Sequence, residues 1–172
     1  MRVVVPYTNL RNETRAAIEA SGWDYDPIDV SSDDEAYWRL LRDLWAAGET
    51  FCIVEQDIVV KPETLDGLAA CTEWRCAAAY PYFNGLYPGL GCTRFSAELL
   101  SSVPGAIEEI GSWSDEIHPL RHWCRLDGWL QTLLKRNYHV PLCTNHGIVG
   151  HIRDYSGSPY PSHGCVGGFS SG

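Results

Sequence analysis

The chain opens on an unbroken apolar run, Val3-Val4-Val5, between Arg2 and Tyr7. A continuous run, not an alternating one, predicts a strand buried on both faces, as in a parallel sheet. Pro6, Thr8 and Asn9 close it. Ala17, Ile18 and Ala20 then predict a helix capped by Asn12 and stopped at Gly22. Tyr25 to Val30 reads as a second strand. Ser32-Asp33-Asp34-Glu35 is a capping-box pattern opening a helix with Tyr37, Leu40, Leu41, Leu44 and Trp45 on one face. Thr50 to Val54 is a third apolar strand, and Pro62 sits where a first-turn proline belongs, ahead of Leu65, Leu68 and Ala69.

The second half is less regular. Ala77 to Tyr82 and Leu90 to Phe95 read as strands, separated by the turn signals Asn84-Gly85 and Pro88-Gly89. A short helix is expected over Ala97 to Ser101, and an irregular loop over residues 103–119. Leu126, Trp129, Leu130, Leu133 and Leu134 predict a helix from His122 to Arg136, followed by a strand from Tyr138 to Cys143. Strand and helix alternate through the first half, which predicts an α/β fold: one domain over residues 1–155, a mainly parallel central sheet flanked by helices. Residues 156–172, rich in Ser, Gly and Pro, form either a disordered tail or an ordered flap. Ligands in such sheets bind beyond the carboxyl ends of the strands.

Composition narrows this picture. The 172 residues are 45% hydrophobic and 20% charged, the balance of a globular chain. No run of 18 apolar residues predicts a membrane span. Met1-Arg2 leads directly into the first strand with no signal-peptide pattern, so a cytoplasmic location is expected, host cytoplasm if a phage encodes the chain. Seven scattered cysteines suit reduced thiols better than a disulfide framework. The net charge of −9 runs against a nucleic-acid-coating surface, and Arg121, Arg125, Lys135 and Arg136 read as solvated helix charges.

Three places carry candidate chemistry. Glu55-Gln56-Asp57 ends the third strand, with Glu55 and Asp57 on one side by alternation. Hard divalent cations take such oxygen ligands together with substrate phosphates. Asp127 lies at the edge of an apolar helix face, near the helix start, where the dipole favours a charged general base. His146-Gly147-Ile148-Val149-Gly150-His151 offers two imidazoles, the commonest metal-binding side chains, between glycines.

Together these pieces resemble the GT-A glycosyltransferases, in particular compact family-2-like enzymes, over residues 2 to about 155. Glu55-Gln56-Asp57 stands where that family has a DxD-type motif, with Glu for the first Asp. Leu126-Asp127 stands where many members have Glu-Asp. The resemblance implies a GT-A-like, Rossmann-like fold and a metal-dependent, inverting glycosyltransferase. The donor would be a nucleoside-diphosphate sugar, UDP-sugar first among them. Asp57 and either His146 or His151 would hold Mn²⁺ or Mg²⁺, and Asp127 would be the catalytic base. Pro6, Tyr7, Thr8, Arg11, Asp29, Glu55, Gln56, Gly89 and Gly91 would contact the donor, Glu55 near the ribose or sharing the metal. The compactness is similar to that of bacteriophage enzymes, some of which modify DNA. This makes 5-hydroxymethylcytosine in phage DNA a candidate acceptor.

Two other classes compete. Cys143-Thr144-Asn145-His146, with His163-Gly164-Cys165 downstream, could form a zinc-binding module. The departures at Glu55 and Leu126 also allow a non-catalytic nucleotide-sugar-binding protein.

Overall fold

A computed structural model of the chain describes residues 1–82 and 85–152. The tail over 156–172, including His163 and Cys165, lies outside the described residues.

Five strands build the central sheet: β1 (Arg2–Tyr7), β2 (Tyr25–Asp29), β3 (Phe51–Val54), β5 (Arg75–Ala77) and β8 (Cys92–Phe95), in the order β2-β1-β3-β8-β5. β2, β1 and β3 pair in parallel, and β8 runs antiparallel to both β3 and β5. The sheet is therefore mixed, with one reversed strand, β8, set between four that share a direction.

Helices cover both faces, which is why the central strands carry the continuous apolar runs Val3-Val4-Val5 and Phe51-Cys52-Ile53-Val54. On one face Val4, Phe51, Ile53 and Phe95 pack under α2 (Ala36–Ala47), α4 (Ala97–Ser102), α5 (Ala106–Gly111) and α6 (Trp123–Arg136). On the other, Val3, Val5, Cys52, Val54 and Cys92 pack under α1 (Asn12–Ser21) and α3 (Pro62–Ala70). Successive residues of β1 and β3 thus enter opposite cores, as the two-residue strand period requires. Trp38 and Trp45 anchor α2 by donating Nε1–H to the carbonyls of Ile107 and Val103. Among the described residues no helix is long and apolar enough to cross a membrane.

Two short ribbons flank the end of β3. β4 (Ile58–Val59) pairs antiparallel with β9 (Gly150–His151), and β6 (Tyr80–Tyr82) with β7 (Gly85–Tyr87).

Several sequence expectations give way. Neither Asn12 nor Ser32 caps a helix: Arg11 and Glu35 occupy those positions without side-chain caps, and Asp33 instead accepts the Glu35 amide. The supposed loop over 103–119 contains α5. Residues 138–143 form no strand. His139 has φ 54°, Pro141 has no amide to donate, and only Cys143 bridges β5, at Cys76. Cys52, Cys71, Cys76, Cys92 and Cys143 are free thiols as expected, but Cys124 is disulfide-bonded.

Candidate functional site

The end of β3 gathers the acidic residues. The Glu55 amide donates to the Gly91 carbonyl (2.9 Å), and the Ile58 amide to the Glu55 carbonyl (3.0 Å). This turn fixes Glu55, Gln56 and Asp57 above the strand end. Tyr37, at the start of α2, donates its hydroxyl to Glu55 Oε1 (2.9 Å). Glu55 is only partly covered as a residue, yet its carboxyl group is desolvated. Burial first, then the neighbouring Asp57 and Asp127 carboxylates, push its pKa up to about 8, against the Tyr37 hydrogen bond. Glu55 is thus mostly protonated near neutral pH.

Asp57 meets His151. The strand pair β4–β9 sets Ile58 opposite His151, and His151 Nε2 lies 3.2 Å from Asp57 Oδ2. The other ring nitrogen, Nδ1, is 2.9 Å from the Pro81 carbonyl. A carbonyl only accepts, so Nδ1 carries a proton; Nε2 then either donates to Asp57 Oδ2 from a protonated ring or presents a lone pair from a neutral one. Two electron-rich atoms at that distance call for a cation between them, a proton or a metal ion. Adjacent ligands at about 2.1 Å on a six-coordinate ion lie roughly 3.0 Å apart, so the pair fits Mn²⁺ or Mg²⁺. The Pro81 bond is the orienting contact that a ligating histidine requires. His146, the other candidate, is placed elsewhere: its Nε2 lies 3.5 Å from Cys143 Sγ.

Asp127 occupies the second turn of α6. Its position is past the first-turn reach of the dipole, and burial decides its charge state. Desolvation raises its pKa, opposed by hydrogen bonds from the Tyr87 hydroxyl and the Leu90 amide and by the Arg75 cation. This corrects the expected dipole-favoured ionisation. Oδ1 of Asp127 is buried and has no hydrogen-bond partner among the described residues, an acceptor left unsatisfied at the site.

Gly89 and Gly91 let this cluster close. A Cβ on Gly89 would stand 2.3 Å from Tyr87 Cε1, 2.4 Å from Tyr80 Oη and 2.5 Å from Asp127 Oδ2. A Cβ on Gly91 would stand 2.8 Å from Tyr80 Cε1. The turn is held by Thr93 Oγ1 donating to the Gly89 carbonyl (2.7 Å) and Gln131 Nε2 to that of Pro88 (3.3 Å).

Gln56 does a different task from its neighbours. Its Oε1 accepts from the Thr8 amide (2.7 Å), the Asn9 amide (2.8 Å) and the Thr8 hydroxyl (3.2 Å). Its carbonyl accepts from the Arg11 amide (3.2 Å). The loop after β1, with Pro6 and Tyr7 leading into it, is therefore tied to the acidic turn. Asp29 ends β2, exposed, and the Ser31 hydroxyl and amide hold its carboxyl below the usual range.

Sequence reasoning misses Tyr37 and Arg75, and takes Tyr80 and Tyr87 only as aromatics that could stack on a base or sugar. Tyr37 read as core because it shares the apolar face of α2. Arg75 did carry a signal: it is the one cation beside Cys76-Ala77-Ala78-Ala79, and it is 1% exposed, with Nε and Nη2 unpartnered. Burial lowers its pKa, and the Asp127 carboxylate opposes that.

No protein-family model matches the chain, and no curated protein matches it. Solved structures do. A197 from STIV aligns at TM-score 0.52 and 11% identity, over 90% of this chain and 87% of that one. A glycosyltransferase involved in the glycosylation of the major capsid of PBCV-1 aligns at TM-score 0.51 and 10% identity, over 89% and 94%. At such identities the likeness is one of architecture. The chain has a glycosyltransferase-like α/β fold built on a mixed central sheet.

Proposed function

We propose that this chain is a glycosyltransferase that moves a sugar from a nucleoside-diphosphate sugar, UDP-sugar first, to a hydroxyl acceptor with inversion. The observation that carries the reading is the convergence of Asp57 with His151, and of Glu55 with Asp127, at the carboxyl end of β3. The fold likeness to a glycosyltransferase supports it.

In this reading Asp127 Oδ1 accepts the proton of the acceptor hydroxyl. The acceptor's own oxygen, relieved of its proton, attacks the anomeric carbon, the bond from that carbon to the diphosphate breaks, and the nucleoside diphosphate leaves from the opposite face. Mn²⁺ or Mg²⁺ held by Asp57 and His151 would offset the charge growing on the diphosphate. Protonated Glu55, its Oε1 engaged by Tyr37, donates to an oxygen of the donor. The Thr8–Arg11 loop and Asp29 border the nucleotide.

For the acceptor, the −9 charge weighs against DNA, while the capsid role of the PBCV-1 neighbour adds a protein hydroxyl as a class. Hydroxymethylated DNA remains the other class to test.

The test is a donor screen with Mn²⁺ or Mg²⁺, following free nucleoside diphosphate with each acceptor class. Metal-dependent release is expected. Asp127→Asn should lower kcat by roughly 10²–10⁴-fold while donor affinity stays. Absence of both release and calorimetric binding for every nucleotide sugar would overturn the proposal. Binding that Asp127→Asn leaves intact, without turnover on any acceptor, would favour a nucleotide-sugar-binding protein.

A further inference from the structure

At the C-terminal end of α3, three side chains from two distant segments meet. Cys71 follows the last turn of α3, its amide donating to the Leu68 carbonyl (3.3 Å). Cys143 is pinned to the edge of β5 by two backbone bonds: its amide donates to the Arg75 carbonyl (3.0 Å), and its carbonyl accepts from the Ala77 amide (2.9 Å). His146 lies three residues on, beside Gly147 at φ 79°, and the chain bridges the 76–79 segment in parallel at both Cys143 and Ile148. The Ala79 amide then bonds the Gly147 carbonyl (3.1 Å), and the Val149 amide the Ala79 carbonyl (2.9 Å). The segment carrying Cys143 and His146 is thus fixed at both ends.

The ligand atoms of Cys71, Cys143 and His146 all lie within 4.8 Å of one another, and all three residues are half-buried. Cys143 Sγ and His146 Nε2 are 3.5 Å apart. A tetrahedral zinc ion, with Zn–S near 2.3 Å and Zn–N near 2.0 Å, sets sulfur and nitrogen about 3.5 Å apart. Two thiolates and a neutral imidazole cancel a divalent charge, so the ion adds no net charge to a half-buried place.

We infer that Cys71, Cys143 and His146 form a site for a thiophilic divalent ion, zinc above all, with a water or an added ligand at the fourth corner. The site is separate from the Asp57–His151 pair, and the donor sets divide the metals. Sulfur and imidazole select zinc, whereas carboxylate with imidazole beside a diphosphate suits Mn²⁺ or Mg²⁺. An ion there ties the end of α3 to the segment that leads, five residues after His146, into His151. Its role is structural. It does not depend on the transferase reading.

Cobalt(II) is the probe. The metal-free full chain, its Cys124 disulfide intact, is titrated with Co²⁺, and the near-ultraviolet thiolate-to-cobalt charge-transfer band is followed. One equivalent should develop the band and Zn²⁺ should bleach it, with Mn²⁺ inert. Cys71→Ser and Cys143→Ser should each remove it, His146→Gln should weaken cobalt affinity at least tenfold, and Asp57→Ala should leave it intact. A second measurement uses the unaltered chain, so that a variant's failure to fold decides nothing. Zinc should protect Cys71 and Cys143 from alkylation, mapped by mass spectrometry, and leave Cys92 unchanged. Absence of the band, its survival in both serine variants, or equal labelling with and without zinc overturns the site.

Discussion

His151 Nε2 lies 3.2 Å from Asp57 Oδ2 although the two residues are 94 positions apart in sequence. Two features make that distance: the β4–β9 pairing, which sets His151 opposite Ile58, and the Pro81 carbonyl, which turns the ring. The arrangement predicts that the two side chains bind metal as a unit. His151→Ala should weaken Mn²⁺-dependent donor binding by roughly tenfold or more, and Asp57→Ala should do the same. The double variant should lose little beyond either single one. Calorimetric titration of Mn²⁺ in the presence of nucleoside diphosphate measures all three, and fully additive losses would mean that the residues act separately.

The protonated state of Glu55 has a thermodynamic signature. Its carboxyl titrates near 8 in the folded chain and near 4.3 when unfolded. Between those values the folded state holds the extra proton, so stability falls as pH rises through the window, by at most about 1.4 kcal/mol per pH unit. The contribution is complete below the unfolded pKa and gone above the folded one. Asp127, also raised by burial, acts in the same direction. Glu55→Gln keeps a donor and cannot ionise. Its Tm should fall less between pH 5 and pH 8 than that of the unaltered chain, as a pH series of thermal melts will register.

Much of this architecture is legible along the chain because one physical signal dominates each element. Val3 to Val5 in β1 and Phe51 to Val54 in β3 form unbroken apolar runs since each face meets its own core. α6 shows its five core residues at helical spacing. Where several weak signals compete, the reading fails. The capping-box pattern at Ser32 loses to a turn in which Asp33 binds the Glu35 amide. Tyr138 to Cys143 has strand-like residues, yet the chain there needs φ 54° at His139 and has a proline at 141. Glu55, Asp57 and Asp127 stand out in sequence because acids beside apolar runs need a reason. Tyr37 does not, since a tyrosine in an apolar face looks like core until its hydroxyl is placed. Cys71 was invisible as a partner of Cys143 because only the pairing of β5 with the chain at Cys143 brings them together.

The turn at Gly89 and the helix at Gly128 make opposite predictions for the same change. Ala at 89 would drive a methyl into Tyr87, Tyr80 and Asp127 at 2.3–2.5 Å. Displacing them should cost about 1–3 kcal/mol and move the base. Ala at 128, next to Asp127 but with nothing within 4 Å of its Cβ, should stabilise α6 by about 0.5–1 kcal/mol. Thermal melts with turnover assays will separate them: Gly89→Ala lower in both, Gly128→Ala higher in Tm with activity retained.

Gln56 offers a test of whether the loop after β1 serves the donor. Its Oε1 gathers three donors from Thr8 and Asn9, each worth about 0.5–1.5 kcal/mol net. The amide NH₂ of Gln56 takes no part in those contacts. Gln56→Glu therefore keeps an acceptor oxygen of the same reach and should hold the loop, whereas Gln56→Leu frees it. With the loop at the nucleotide side and Asp127 at the acceptor side, as proposed, the Leu variant should raise the donor KM several-fold with kcat nearly unchanged. The Glu variant should stay close to the parent unless its charge repels the diphosphate, in which case higher salt should restore it. A fall in kcat at constant KM for Gln56→Leu would instead place the loop in the chemical step, and the assignment of Thr8 and Arg11 to the donor would have to be given up.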